Sequence, residues 1–272
     1  VPESFNLAEV AGALANTPFA GNLHHLASVD STNALALEAA QAGAPHGSVW
    51  IADEQTAGRG RGGHTWLSTP GDGLYVSVLL RPQMTIANAL WLSLATGLAA
   101  QEAISTVANI RPDIRWPNDL LIGNRKVGGI LVETSTTPAQ STTPAMLRHA
   151  VIGVGLNLNH QSFPPELTSL ATSLRQETGK IWPREPILTA FLRLLNQQIA
   201  LLEEELTGIR SSSSLLERFS AASSWVCGRR VSVDESGGYT GVTNGLDERG
   251  FLLVTGDDGT THTVLSGGVR AQ

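Results

Sequence analysis

The sequence predicts an α+β fold, with helices laid on a sheet and a small all-β, barrel-like domain at the end. Three observations predict it. Leu74 to Leu80 and Ala150 to Asn157 are apolar runs of strand length. Ala87 to Val107 is a long stretch rich in Ala and Leu, which reads as a largely buried helix. From Trp225 onward, short β-patterned pieces alternate with Gly-rich turns. The division expected is therefore a first domain over residues 1–222 and a second over 223–272.

Each element has its own warrant. Leu7, Val10, Ala11 and Leu14 fall at helical spacing behind Asn6, a good N-cap. Leu23 to Ser28 is a short strand candidate. Asp30-Ser31-Thr32-Asn33 then offers several caps to an Ala-rich helix running to Gln41, ended by Gly43 and Pro45. Ser48 to Asp53 reads as a strand, and Gly58 to Gly63 as a glycine-rich loop. After the long helix come strand candidates at Asp113 to Trp116, Lys126 to Thr134 and Ala150 to Asn157. Thr136 to Pro144, rich in Thr, Ser and Pro, is expected to be an exposed hairpin connection. Glu166 to Arg175 and Arg184 to Leu206 are predicted helices. Ser211 to Ser214 is a flexible break before one more helix. The terminal strands are expected at Arg230 to Asp234, Tyr239 to Leu246, Phe251 to Thr255 and His262 to Leu265.

Composition narrows the function classes. The chain is 42% hydrophobic and 15% charged, ordinary for a soluble globular protein. A net charge of −6 supplies no overall basic field for nucleic acid or acidic membrane. The first basic residue is Arg59, so no leader peptide is expected. No apolar run approaches the ~18 residues of a membrane span. One cysteine, Cys227, excludes an intramolecular disulfide, and its apolar neighbours predict an inert core thiol. The expected compartment is the cytoplasm. Only Lys126 and Lys180 are lysines among 18 basic residues. A chain that otherwise uses arginine has kept two compact ammonium groups, which a guanidinium does not replace at every site.

Four segments carry chemistry. Gln55-Thr56-Ala57-Gly58-Arg59-Gly60-Arg61-Gly62-Gly63-His64-Thr65-Trp66 combines cationic side chains with glycines that leave backbone N–H groups open. Such a loop suits carboxylate and phosphate together, and Trp66 can stack on a base or cap a pocket. It is not a Walker loop, since no Lys-Ser/Thr follows the glycines. A flexible linker or an RGG-type RNA-binding box is the plainer alternative, although such boxes usually repeat and this segment occurs once. Arg115-Trp116-Pro117-Asn118-Asp119 is, taken alone, a turn at a strand end. Arg125-Lys126-Val127-Gly128-Gly129-Ile130-Leu131-Val132-Glu133 sets a lysine beside two strand glycines, a pattern that fits close approach of a ligand or backbone. Gly153-Val154-Gly155-Leu156-Asn157-Leu158-Asn159 is a small-residue strand ending in asparagines. Seven histidines show no metal-ligand spacing, so no protein-bound metal is expected.

In order and spacing these segments, with Ser31-Thr32-Asn33 upstream, resemble the biotin protein ligase family, densely over Leu23 to Asn159 and loosely over Arg229 to Arg270. The resemblance implies a mixed or antiparallel sheet flanked by helices, with an SH3-like C-terminal barrel. It implies that Ser31, Thr32, Asn33 and Gln55 line a biotin-ring pocket. Arg59, Gly60, Arg61, Lys126, Gly128 and Gly129 would complete the biotin site, with Lys126, Arg59 and Arg61 acting in catalysis. Gly58, Trp66, Asn118 and Asn157 would serve ATP and its adenine, and Asp119 would orient the groups around it. The family often has lysine where Arg115 stands, and Thr65 occupies a place commonly basic or glycine.

The implied reaction forms biotinyl-5'-AMP from biotin and ATP, then moves biotin to one lysine of a biotin carboxyl carrier protein. Mg²⁺ would travel with the phosphates. Two alternatives stand beside this. One is a lipoate- or octanoate-ligase relative on the same scaffold. The other is a non-enzymatic RNA- or peptide-binding module, against which the polar clusters Ser31-Thr32 and Asn118-Asp119 argue. Thirty residues precede Ser31, fewer than the ~50 of a separate domain, so no DNA binding is expected, and neither is membrane association. A monomer or weak homodimer is the expected assembly.

Overall fold

The computed structural model describes residues 5–137, 144–208, 214–235, 237–266 and 268–272. The expected connection at Thr136 to Pro144 and the serine break at 211–214 fall largely outside them.

The first half builds one sheet. Helix α1 (Leu7–Ala13) is capped by Asn6, whose side chain accepts from the Glu9 N–H. Strand β1 (Leu23–Leu26) leads to α2 (Thr32–Gln41), capped by Ser31. Then follow β2 (Val49–Ala52), β3 (Gly73–Leu80) and the 20-residue α3 (Ala89–Ala108). β4 (Asp113–Arg115) and β5 (Asp119–Ile122) flank a tight turn with a cis Trp116–Pro117 bond. β6 (Arg125–Thr136) and β7 (Leu147–Asn157) form a long hairpin. The strand order is β1-β2-β3-β7-β6-β5-β4, with β1 and β2 parallel and every other pair antiparallel.

Strand alternation assigns the two faces. Val76, Val78 and Leu80 of β3 enter the main core under α3, while Leu79 packs with Ala36 and Ala40 of α2 on the opposite face. The helical expectation for Glu166 to Arg175 is not met. That segment is mostly turns, and the helix, α4 (Leu174–Thr178), begins only after Ser173 caps it. Its backbone is engaged elsewhere, because Leu170 and Thr172 bracket Lys126 with main-chain hydrogen bonds. Helix α5 (Arg184–Leu206) packs on α3, and α6 (Leu215–Ala222) opens with a capping box between Ser214 and Glu217.

The C-terminal strands are β8 (Cys227–Val233), β9 (Tyr239–Leu246), β10 (Leu252–Gly256), β11 (Thr261–Val264) and β12 (Val269–Ala271). They form an open antiparallel sheet in the order β11-β10-β9-β8-β12, and no described pairing closes it into the expected barrel. Cys227 is exposed rather than a core thiol. It sits where a bulge in β8 turns the chain out of register with β9. Val231, Val233, Leu252 and Val254 belong to the same apolar cluster as α3 and α6, so the two sheets share one continuous core. Polar contacts reinforce the seam. The Trp116 indole donates to the Gly250 carbonyl at 2.9 Å, and Trp91 donates to that of Arg249 at 3.0 Å.

Candidate active site

A cleft of about 430 Å³ opens on the α2 face of the large sheet. Ser31, Thr32, Asn33, Gln55, Arg59, Gly60, Arg61, Trp66, Asn118, Lys126 and Gly129 all line it. Four stretches of the chain thus meet around one space, and eleven of the fifteen residues singled out are there.

The polar wall is fixed by its own hydrogen bonds. Gln55 Oε1 accepts from the Thr32 N–H at 2.9 Å and from its hydroxyl at 3.0 Å, while Gln55 Nε2 donates to Ser68 at 3.0 Å. Ser77 lies 2.8 Å from the Thr32 hydroxyl and 2.5 Å from Asn33 Oδ1. Asn33 Nδ2 donates to Glu133 at 2.9 Å. Buried polar groups held in this way present fixed valences to a ligand and keep their geometry when the site is empty. The sequence reading omitted Ser77, Ser68 and Glu133. A serine inside an apolar strand carries no signal in sequence, whereas Glu133 ends a segment already singled out.

The floor is made of glycine. Gly129 pairs with Gly155, and Leu131 with Gly153, so Gly129, Gly153 and Gly155 share a face. The Trp66 ring lies on it. A Cβ on Gly155 would meet the indole at 2.5 Å and one on Gly129 at 2.9 Å, while one on Gly153 would meet Asn33 Oδ1 at 2.2 Å. Gly128 points the other way, toward Leu156 and Leu120 in the core. Adjacent residues of a regular strand cannot both face the cleft. Trp66 therefore sits among the pocket groups, under the Lys126 ammonium at 5.3 Å from the ring centroid.

Lys126 reaches the cleft through a β-bulge. The β5–β6 register steps from Leu120↔Gly128 to Leu121↔Lys126, leaving Val127 as the extra residue. Val127 and Gly128 both face the core, so Lys126 emerges on the side of Gly129. Asp119 accepts from Lys126 Nζ at 2.5 Å through one oxygen and from Arg115 through the other. Burial pushes the Asp119 carboxyl up, but Lys126 and Arg115 outweigh it and hold the group below the usual carboxylate range.

Its ionised form thus supports the fold above the ordinary carboxylate pKa, and that support is lost as pH falls through the lowered value. Asp119→Asn is accordingly expected to lose less stability than the parent protein between about pH 5 and pH 2. Melting temperatures of both proteins across that range check this, and parallel curves would refute it.

Asn157 stands outside the cleft. Its amide donates to the carbonyls of Thr172 at 3.0 Å and Lys126 at 3.4 Å, clamping the strand that carries the lysine. Gly58 is buried behind the lining, with its carbonyl accepting from the Trp66 N–H at 2.9 Å. Asn118 Nδ2 donates to the Ile130 carbonyl at 2.8 Å.

The glycine-rich loop is folded back on itself. Gly60 donates to His64, Arg59 bridges to Thr65, and Arg59 pairs with Glu133 at 3.0 Å. Burial draws the Arg61 guanidinium down, while Asp119 and Glu235, in the connection between β8 and β9, oppose that shift. Three cationic groups thus surround a space walled by amides and hydroxyls and floored by glycine. That arrangement suits a ligand with a neutral polar head and an anionic end. A groove of about 560 Å³ adjoins it, sharing Arg61, Asn118, Ile130 and Leu131.

Comparison with known proteins gives concordant results. The family model described as the biotin/lipoate A/B protein ligase family matches residues 25–157. A biotin–[acetyl-CoA-carboxylase] ligase of Mycobacterium tuberculosis is 33% identical over 250 residues, covering 89% of this chain and 86% of that protein. The bifunctional ligase/repressor BirA of Bacillus subtilis is 32% identical, covering 85% of this chain and 68% of that protein. Among solved structures, the biotin protein ligase from Aquifex aeolicus in complex with biotin and ATP superposes with a TM-score of 0.75. It is 31% identical, over 93% of this chain and all of that one.

Proposed function

The chain belongs to the biotin/lipoate A/B protein ligase family, and from that premise we propose that it activates biotin with ATP and attaches it to a lysine of a carrier protein. The observation that carries the reading is the convergence of Arg59, Arg61 and Lys126 on one cleft whose opposite wall is neutral and hydrogen-bonding. Biotin has that polarity, with a ureido head and a carboxylate tail. Ser31, Thr32, Asn33 and Gln55 form the wall for the head, and Lys126 with the loop arginines receives the tail.

The chemistry asks little of a protein nucleophile, because the biotin carboxylate itself attacks the α-phosphorus of ATP and pyrophosphate leaves. The residues must bring two anions together and neutralise the charge that develops. Lys126 is a compact cation between them, and Asp119 sets its direction. In the second step an acceptor amine attacks the acyl carbon of the mixed anhydride, and AMP departs. Arg61, common to the cleft and the adjoining groove, is placed to span the biotin carboxylate and the nucleotide phosphates, Asn118 is assigned to the nucleotide side, and Gly58 and Asn157 support that region from behind. Trp66 is assigned to the floor of the ligand site. Mg²⁺ would arrive with the nucleotide phosphates. Asp119, the carboxylate closest to Lys126, is engaged by two cations and offers no cage for it.

The acceptor assigned is the carrier protein of a biotin-dependent carboxylase such as acetyl-CoA carboxylase. The compartment assigned is the cytoplasm, and the assembly a monomer or weak homodimer. No helix among the described residues is long and apolar enough to cross a membrane. The C-terminal sheet, proposed as a domain from residue 223, shares its core with α3. Excising it is therefore expected to destabilise the rest, and point changes at the seam are the better probe.

The direct test is biotin-dependent exchange of pyrophosphate into ATP. Exchange with biotin and little with lipoate supports the reading, while exchange with lipoate or with neither overturns it. A second expectation concerns the loop. Arg59 and Arg61 are the first basic residues in the chain, and Arg59 is half-exposed with its side chain 45% accessible. Trypsin is expected to cut there, releasing an N-terminal fragment of about sixty residues. Biotin should slow the cut, and biotin with ATP should slow it further, as the arginines close on the ligand. Equal rates with saturating ligands would show that the loop is not ordered by them.

A further inference from the structure

We propose that Glu133 is a positioning residue that holds Arg59 over the empty cleft and gives it up to the ligand's carboxylate. This rests on the functional reading above. Glu133 lies on β6 opposite Val151, on the face of the sheet that carries the cleft. Its carboxylate accepts from Arg59 NH2 at 3.0 and 3.3 Å and from Asn33 Nδ2 at 2.9 Å. One acid thus ties the glycine-rich loop to the polar wall across 74 and 100 residues of sequence, respectively. The pair is neither free in solvent nor sealed, with side-chain exposures of 45% for Arg59 and 29% for Glu133. A guanidinium in that setting can exchange one carboxylate partner for another without either charge being left buried and alone.

Two consequences follow from charge. Without ligand, Glu133 neutralises Arg59 and restrains a run of glycines that would otherwise move freely. When an anionic ligand enters, its carboxylate competes with that of Glu133 for Arg59 and is repelled by it at short range. Glu133 therefore weakens the hold on a carboxylate ligand while leaving a neutral ligand almost unaffected. Asn33 shares the same acid, so exchange at Arg59 also changes the charge next to the polar wall. The physical role is to trade some affinity for a loop that is already in position and that releases its anion.

The test is Glu133→Gln, which keeps the shape and an acceptor oxygen for Arg59 and Asn33 but removes the charge. Binding of biotin and of biotin amide is measured calorimetrically at low and high salt. Biotin should bind the variant about three- to tenfold more tightly than the parent protein at low salt, less so at high salt. Biotin amide should change by less than about twofold on the same electrostatic argument. In the unliganded variant, tryptic cleavage after Arg59 should be faster. Equal weakening of biotin and biotin amide would show a purely structural brace and overturn the proposal, as would an unchanged preference for the acid. A melting curve close to that of the parent establishes that the variant is folded, and Glu133→Asp, which retains charge, should behave like the parent in its acid-to-amide preference. If the parent protein binds neither biotin nor its amide, the functional reading fails first.

Discussion

Lys126→Ala is expected to lower biotin-dependent pyrophosphate exchange by about 10²- to 10³-fold, the usual loss when one preorganised charge donor is removed from a transition state. The ammonium projects over the cleft from the β-bulge, is aimed by Asp119 at 2.5 Å, and has the Trp66 ring beneath it. Its loss leaves Asp119 still paired with Arg115, so no buried carboxylate is stranded and the fold should survive with a melting shift of a few degrees. Lys126→Arg should be nearly as poor. A planar fork is wider than an ammonium and would have to fit between Asp119, the indole and the ligand. Lys180, the other lysine, is exposed beyond α4 and serves as the control, so Lys180→Ala should retain full activity. Near-normal turnover of Lys126→Arg would defeat the assignment of Lys126.

Gly153→Ala is the second change with a large expected effect. Its methyl group would stand 2.2 Å from Asn33 Oδ1, and that amide cannot step aside freely because Ser77, Glu133 and the Leu131 carbonyl hold it. Overpacking of this kind typically costs about 1–3 kcal/mol of stability, and displacing the Asn33 amide from the polar wall removes a hydrogen-bonding group from the ligand, so affinity for biotin should fall by about tenfold. Gly155→Ala should act similarly by lifting the Trp66 ring, which its Cβ would meet at 2.5 Å. Gly12 is the contrasting glycine, lying inside α1 with nothing within 4 Å of the added carbon. Gly12→Ala should leave binding unchanged and stabilise the protein by about 0.5–1 kcal/mol through helix propensity. Calorimetric titration and thermal melts of the three variants decide the matter. Normal biotin affinity in both strand variants would place the ligand elsewhere than on the glycine floor.

Much of the fold was legible because local chemistry and tertiary demand agree. Arg184 to Leu206 was readable to the residue, since its apolar positions repeat at helical spacing and Pro183 blocks earlier growth. Ser31 and Asn6 announced their helices as caps. The failures have identifiable causes. The Glu166 to Arg175 stretch has helical character, but tertiary contacts won: its end pairs with Lys126 as an isolated bridge at Ala171. The short strands β5 and β12 lack a periodic signal of useful length.

By itself the sequence determined the chemical inventory of the cleft: the paired arginines among glycines, the rare lysine, the hydroxyl and amide cluster, and the fact that all of these lie on or beside strand candidates. Tertiary structure alone decided which of them face one another. Gly128 and Gly129 look equivalent in sequence, yet only Gly129 lines the cleft, because alternate residues of a strand point to opposite faces. Lys126 would follow that same alternation into the core but for one extra residue in β6. A bulge is a property of two strands in register, so no reading of one strand could have found it. Asn157 shows the converse. Its side chain suits a base edge, but the end of β7 places it beside the Lys126 and Thr172 carbonyls, where buried acceptors need a donor and the amide supplies one.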